Sequence, residues 1–370
     1  MREIYVVYHF KLIKRGKKMI LGKKKNVIGL DIGSSSIKLV ELAEGKSGFK
    51  LQNIGLSSLP PEAIVDGALM DSVTIIDTIR NLITASKIKT KDVVTSVSGH
   101  SVIVKKISLP FMTEAELEES IRWEAERYIP FDINDVNIDF QSFGSNPENP
   151  EVMDIVLVAA KKDIINDYVS VIMEAGLNPV IIDIDAFALE NMLAINYEFE
   201  KGEVVAVVNV GANITNINIL KDNVSGFTRD IFKGGNQITE DIQRQLHVDY
   251  DEAERIKVGS KIDVTSRSII QTLLKTASES LAVEIRNSID FFQSTSTYEK
   301  INTLYLSGGG SKIKDFNIVL QEEIGIPVEV VNPFTKIEYS EKNFDVEHLK
   351  EIGPLMAIGV GLASRKVGDK

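Results

Sequence analysis

The sequence predicts an α/β protein of two related lobes, with a small αβ module grafted beside the first. Three observations carry that prediction. The stretch VIGLDIGSSSIKLVEL, residues 27–42, returns in altered form as VVNVGANITNINIL, residues 207–220, so that Gly33 meets Gly211 and Asp31 meets Asn209. Short apolar or alternating runs interleave with helix-spaced patterns along the whole chain, as layered α/β folds require. At 370 residues the chain is too long for one ordinary core, and two lobes are the natural division.

The elements follow in order. Residues 26–31, 37–43 and 49–56 read as a three-stranded meander broken by the turns GSSS and EGKSG. Residues 72–86 place Val73, Ile76, Ile79, Leu82 and Ile83 on one helical face, and 93–97 is a further strand. Thr113 with Glu116 makes a capping box that opens a helix to about residue 128, with Leu117, Ile121 and Tyr128 inward. Strands at 135–142 and 152–160 flank the loop GSNPENP, and 163–175 is a second helix, giving a module of about seventy residues. The second lobe repeats the first: strands at 203–209, 215–220 and 224–231, then helices at 235–246, 251–258 and 266–292. A short strand at 304–306 runs into a glycine turn, with a helix from about residue 312. The expected organisation is a basic tail (1–25), the first lobe (26–108), the inserted module (109–180), the second lobe (181–350) and a C-terminal helix returning to the first lobe (351–370).

Composition removes several classes of function. A net charge of −11 opposes general nucleic-acid binding. The absence of cysteine excludes disulfides, thiolate chemistry and Cys-ligated metals. His9, His100, His247 and His348 lie far apart without metal-ligand spacing. No run of about twenty apolar residues occurs, so no membrane-spanning helix is predicted. Residues 1–25 place IYVVYHF ahead of KLIKRGKK and GKKK, the reverse of a secretory signal. Two readings stand there: an upstream start codon with Met19 as the true beginning, or a basic tail that touches anionic lipid.

The glycine turns carry the chemistry. A turn of Gly and Ser can aim backbone N–H groups at one anion, which holds phosphate without a cluster of cations. Gly33 and Gly211 have no Cβ to block approach, Ser34, Ser35 and Ser36 add hydroxyls, and Lys38 follows on the departing strand. Asp31 closes the preceding strand and suits magnesium held through water. Gly308, Gly309 and Gly310 form a third turn suited to ribose or an α-phosphate. Singly each is an ordinary turn; together they point to a shared anionic ligand.

These residues resemble the actin-like ATPase superfamily of ribonuclease H-like fold, which includes actin, DnaK-type chaperones, sugar kinases and FtsA. The resemblance implies ATP and magnesium as cofactors. DIGSSSIK resembles the first phosphate loop, with Lys38 where actin keeps a phosphate-contacting lysine. NVGANIT, carrying Asn209, Gly211, Ala212, Asn213 and Thr215, resembles the second. Residues 182–189 resemble the first connection between lobes, placing Asp185 where relatives carry an acid or glutamine facing the attacking water. LSGGGS, with Gly308, Gly309, Gly310 and Ser311, resembles the adenosine motif. Residues 353–363 resemble the second connecting helix, whose small residues would let it cross the first closely as a hinge. Gly234 and Gly235 with Ile238 and Thr239, then residues 253–257, resemble the region that closes over the base in FtsA. They make Glu254 and Lys257 candidates for adenosine contact, against the alternative of a solvated helix face.

Within the superfamily, residues from about 26 to 364 resemble the PilM family of type IV pilus assembly. The resemblance rests on Asp66-Gly67 with Asp71, Leu109-Pro110, Tyr128-Ile-Pro-Phe131, Ala159-Ala-Lys-Lys162 and Glu174-Ala-Gly-Leu177. FtsA carries a related small domain at the position of the insert, and actin does not. The resemblance implies a cytoplasmic scaffold at the inner membrane that binds the cytoplasmic N-terminal segment of a PilN-like protein, in a groove between the first lobe and the insert. Self-association and contacts with other pilus base components are open. Trp123 and Phe131 either line such a groove or pack ordinarily, and packing is the expectation. An FtsA-like filament former is the alternative, opposed by the short polar end at 363–370. A small-molecule kinase is a second, opposed by the lack of an acid in a substrate loop after the first phosphate turn.

Asn209 stands where most relatives carry the Asp that positions magnesium and the attacking water. An amide accepts a hydrogen bond but supplies no charge and cannot act as a base. The expectation is a site that grips ATP and turns it over slowly or not at all, with Asp185 able to support slow hydrolysis. A substitution without consequence is the other reading.

Overall fold

The computed structural model describes residues 26–45, 48–146, 149–260, 267–296 and 300–367. The basic tail expected at 1–25 lies outside these residues, as do parts of the EGKSG and GSNPENP turns and the first residue of the helix expected from 266. Contacts divide the described chain into two units, one of residues 26–32, 36–188 and 359–367, the other of 33–35 and 189–358.

The first unit is built on a five-stranded sheet in the order Phe49–Ser58, Ser36–Glu44, Ile28–Ile32, Asp92–Val97, Asn178–Ile184. The first three strands are antiparallel neighbours and the last two run parallel to Ile28–Ile32. The strand Asn178–Ile184, which the sequence reading divides between insert and second lobe, is thus the edge strand of the first lobe. Ile28, Leu30, Ile37 and Leu39 are fully buried against the helix Ser72–Ala85, whose buried face is Ile75, Ile76, Ile79, Leu82 and Ile83. Asp71 caps that helix through Thr74. It follows the tight hairpin of Ile64–Val65 and Ala68–Leu69, where Asp66 and Gly67 take the positive φ a type I′ turn demands.

The insert has a three-stranded sheet in the order Val102–Pro110, Val152–Lys161, Val136–Ser145. Its first strand was missed in the sequence because Lys105 and Lys106 interrupt the apolar run. The capping box at Thr113 and Glu116 is present and opens the helix Glu114–Ala125, with Leu117 and Ile121 buried and Tyr128 half-buried beyond its end. Alternation along Val152–Lys161 divides the sheet's two faces. Ile155, Leu157 and Ala159 join the insert's core, while Val156, Val158 and Ala160 join that of the first lobe. The helix Lys162–Glu174, expected in the insert, buries Ile165, Tyr168, Val171 and Ile172 in the lobe core instead. Trp123, expected to pack, is exposed, whereas Phe131 is half-buried under the Lys161 ammonium.

Within the first unit, the C-terminal segment 359–363 packs backbone to backbone. A Cβ on Gly29 would lie 2.2 Å from the Gly359 carbonyl oxygen, and one on Gly361 1.7 Å from that of Ala188. Beyond it, Arg365 reaches the wholly buried Asp183 at 2.7 Å.

The second unit repeats the sheet. Its order is Val224–Ile231, Thr215–Lys221, Val204–Val210, Thr303–Ser307, Val328–Val330, with the same two antiparallel and two parallel pairings. Val204, Ala206, Val208 and Val210 face a core shared with Ile238, Ile242, Ala253 and the long helix Arg267–Thr295. No helix of the described residues is long and apolar enough to cross a membrane.

Candidate functional site

In the first unit Asp31 lies near the end of its strand, and the antiparallel register sets Lys38 directly opposite. The two side chains pair at 3.3 Å and are largely shielded. Asp185 begins the helix Asp185–Asn196 and accepts the Ser96 hydroxyl at 2.6 Å. A residue that sequence reasoning passed over joins them. Tyr168 is buried, and its phenol is pushed well above the usual tyrosine value, first by burial and then by the charges of Asp185 and Asp31. Its hydroxyl lies 3.4 Å from the Gly67 carbonyl. Nothing in the helical pattern distinguishes Tyr168 from a core residue. Ser34 and Ser35 are half-exposed, as is Gly33, while Ser36 is buried on the departing strand.

In the second unit the Gly211 N–H donates to the Ile214 carbonyl at 2.9 Å, closing a tight turn. The next helix starts on that turn: Gly235 and Asn236 donate their N–H groups to the carbonyls of Gly211 and Ala212. A Cβ on Gly234 would sit 2.5 Å from the Ala212 carbonyl oxygen, so only glycine allows this approach. Asn236 also donates from Nδ2 to Asn213 at 2.7 Å and accepts from Tyr250 at 3.2 Å. Thr215, expected among the ligand contacts, is fully buried and gives its hydroxyl to the Lys233 carbonyl.

The third glycine turn is not a simple lead into a helix at residue 312. Gly309–Lys312 is a 3-10 turn, and the α-helix begins at Phe316. Gly308 has φ 82°, and a Cβ there would lie 2.4 Å from the Val210 carbonyl oxygen. Gly310 is equally constrained by the Val210 side chain, whereas Gly309 has open space beside it. Ser311 donates its hydroxyl to the Gly308 carbonyl at 2.7 Å. The glycines at 308 and 310 therefore hold the turn against the second phosphate-type turn, and Gly309 leaves a bare backbone edge.

Lys257 and Glu254 do not form a solvated helix face. Lys257 is buried, donating to Thr239 at 2.8 Å and to the Gly235 carbonyl at 3.2 Å, and pairs with Glu254. Burial lowers the Lys257 ammonium from its usual range, and the Glu254 charge opposes that shift. Thr239 also donates to Glu254, whose side chain keeps about a third of its surface exposed.

Asn209 sits opposite Asn216 and beside Ser307 in the register. Its Nδ2 donates to Asn216 at 3.1 Å and its Oδ1 accepts from Ser307 at 3.2 Å. Asn216 and Ser307 were not expected at the site, although laying the two copies over each other puts Asn216 on Lys38. Among the described residues no three His, Cys, Asp or Glu side chains gather as a metal site. Asp31 therefore suits magnesium only as a single hard oxygen ligand beside phosphate and water, and the glycine turns suit a polyphosphate.

Comparison with known proteins agrees with this arrangement. A family model described as the type IV pilus assembly protein PilM matches residues 29–367. A solved PilM–PilN type IV pilus biogenesis complex contains a chain 30% identical, with a TM-score of 0.82, over 92% of this chain and 98% of that one. The cell division protein FtsA of Neisseria meningitidis serogroup B is 23% identical over 356 residues, 86% of this chain and 81% of its own. The ethanolamine utilization protein EutJ of Carboxydothermus hydrogenoformans shares the fold, with a TM-score of 0.54 at 16% identity over 95% of this chain and 93% of that one.

Proposed function

This chain belongs to the PilM family of type IV pilus assembly proteins, and from that premise we propose that it is an ATP-gripping scaffold of the pilus inner-membrane assembly complex. The observation that carries the reading is the likeness to a PilM solved with PilN, which extends over 98% of that chain. In this reading the partner is the cytoplasmic N-terminal segment of a PilN-like membrane protein, and the place of action is the cytoplasmic face of the inner membrane.

Each unit contributes groups of the right chemistry. Lys38 offers a cation to phosphate, and Asp31 an oxygen to hydrated magnesium. The turns at Gly33 and Gly211 offer backbone to phosphate, and the edge at Gly309 offers it to ribose or α-phosphate. Glu254, through its exposed surface, is the better placed of the 254–257 pair for adenosine, because the Lys257 ammonium is engaged internally. Magnesium, if bound with the nucleotide, would neutralise phosphate charge. Asp185, held by Ser96, is the acid assigned to orient a water. With an amide at 209, binding outlasts turnover, and the nucleotide acts by favouring one conformer.

The test is calorimetric titration of a PilN-like N-terminal segment into the protein with and without Mg-ATP. Tighter binding with Mg-ATP is expected; equal affinities in both would remove the gating. The weaker match to the cell division protein FtsA leaves an FtsA-like filament former as the second reading. ATP-dependent sedimentation without any response to the segment would move the assignment there.

A further inference from the structure

One face of the second sheet carries a polar row that runs across four strands. Ser307, Asn209, Asn216 and Asp230 are register neighbours on adjacent strands. The row lies on the face opposite the core, since Val208 and Val210 beside Asn209, and Ile217 beside Asn216, point into that core. The Ser307 hydroxyl donates to Asn209 at 3.2 Å, Asn209 Nδ2 to Asn216 Oδ1 at 3.1 Å, and Asn216 Nδ2 to Asp230 at 2.8 Å. Ser307, Asn209 and Asn216 are all buried.

The direction of the row is forced. A carboxylate only accepts, so Asn216 must turn its NH₂ toward Asp230 and its oxygen toward position 209. Position 209 must then donate to Asn216 while accepting from Ser307, and an amide does both. An ionised acid at 209 has nothing to donate. If Asn216 flips to serve it, the Asn216 oxygen meets the half-buried Asp230 carboxylate, and two acceptors face each other. The corresponding place in the first sheet shows the other solution, since Asp31 faces an ammonium there.

We propose that Asn209 and Asn216 are positioning residues in a one-way hydrogen-bond relay that holds the second glycine turn, and that this relay, anchored by Asp230, is what fixes an amide at 209. The relay stands on these contacts alone; its bearing on nucleotide rests on the function proposed above.

Moving the acid from one end of the row to the other tests it. Asn209→Asp, Asp230→Asn and the double variant are compared with the native protein by calorimetric melting, and by titration with Mg-ATP. Asn209→Asp should melt several degrees lower, and the double variant, whose net charge equals the native one, should recover most of that loss. In the double variant Asn216 flips, donating to the carboxylate now at position 209 and accepting from the amide now at position 230. A native Tm for Asn209→Asp, or losses that simply add in the double variant, would overturn the relay. Should Asn209→Asp fail to fold, a folded double variant would support the relay and an unfolded one would overturn it. Mg-ATP affinity should weaken several-fold in Asn209→Asp and return in the double variant. An affinity that stays weak after Tm has recovered would overturn the positioning role. Failure of all four proteins to bind Mg-ATP would instead remove the nucleotide reading, while the melting pattern would still decide for or against the relay.

Discussion

Asp31 and Lys38 face each other across the first antiparallel ladder as a shielded ion pair, 3.3 Å from carboxylate to ammonium. The same register in the second sheet holds Asn209 and Asn216, joined amide to amide at 3.1 Å. A duplicated fold has thus kept the geometry of the pair and divided its chemistry. One copy carries a charged pair, and the other a neutral amide tie. This division is the physical basis for reading the protein as one that holds a nucleotide rather than cleaving it rapidly.

Replacing Lys38 by alanine leaves Asp31 shielded and without its cation. Stability should fall by about 1–3 kcal/mol in denaturant unfolding. Mg-ATP affinity in calorimetry should fall about tenfold, a loss of about 1.4 kcal/mol. Unchanged ATP affinity would take Lys38 out of the site.

Gly361→Ala places a Cβ where the Ala188 carbonyl oxygen already lies. The helices can accommodate it only by separating, so Tm should drop, with a cost of about 1–3 kcal/mol for the overpacked contact. A native melting curve would mean that the approach of these backbones is not required.

The ion pair of Arg365 and Asp183 is almost wholly buried. Arg365→Met should cost about 3–5 kcal/mol, because it leaves a buried carboxylate without its cation. Adding Asp183→Asn should return part of that loss. A double variant less stable than the single one would show that the arginine acts through packing and not through charge.

Lys257 predicts an alkaline signature. Burial holds its folded pKa below the ordinary value of 10.5, while Glu254 opposes the shift. Between the depressed folded value and 10.5 the unfolded chain binds more protons than the folded one, so this group makes stability rise with pH in that window. Lys257→Met should remove that rise when both proteins are melted at successive pH values below 10.5. Parallel pH profiles for the two proteins would contradict the assignment.

Much of this was legible in the sequence for identifiable reasons. The repeated turn exposed the two related sheets, since glycines under tight backbone contact are visible as letters. The capping box at Thr113 and Glu116 was equally readable, because both hydrogen bonds lie within one turn. What escaped depended on partners distant in the chain. Lys162–Glu174 reads as a helix of the insert until Tyr168 and Ile172 are seen in the lobe core. The strand Val102–Pro110 hid behind two lysines. Lys257 looks like a surface residue in YDEAERIK, and only the fold turns its ammonium toward Gly235. Overlaying the two copies puts Asn216 on Lys38, but the acid that orients the amide pair sits on a third strand, at Asp230.

The most direct test mixes equimolar protein and labelled ATP with magnesium and follows bound nucleotide, ATP and ADP over time. The account predicts near-stoichiometric capture, with the nucleotide recovered almost entirely as ATP. Rapid, repeated conversion to ADP by the unmodified protein would contradict it.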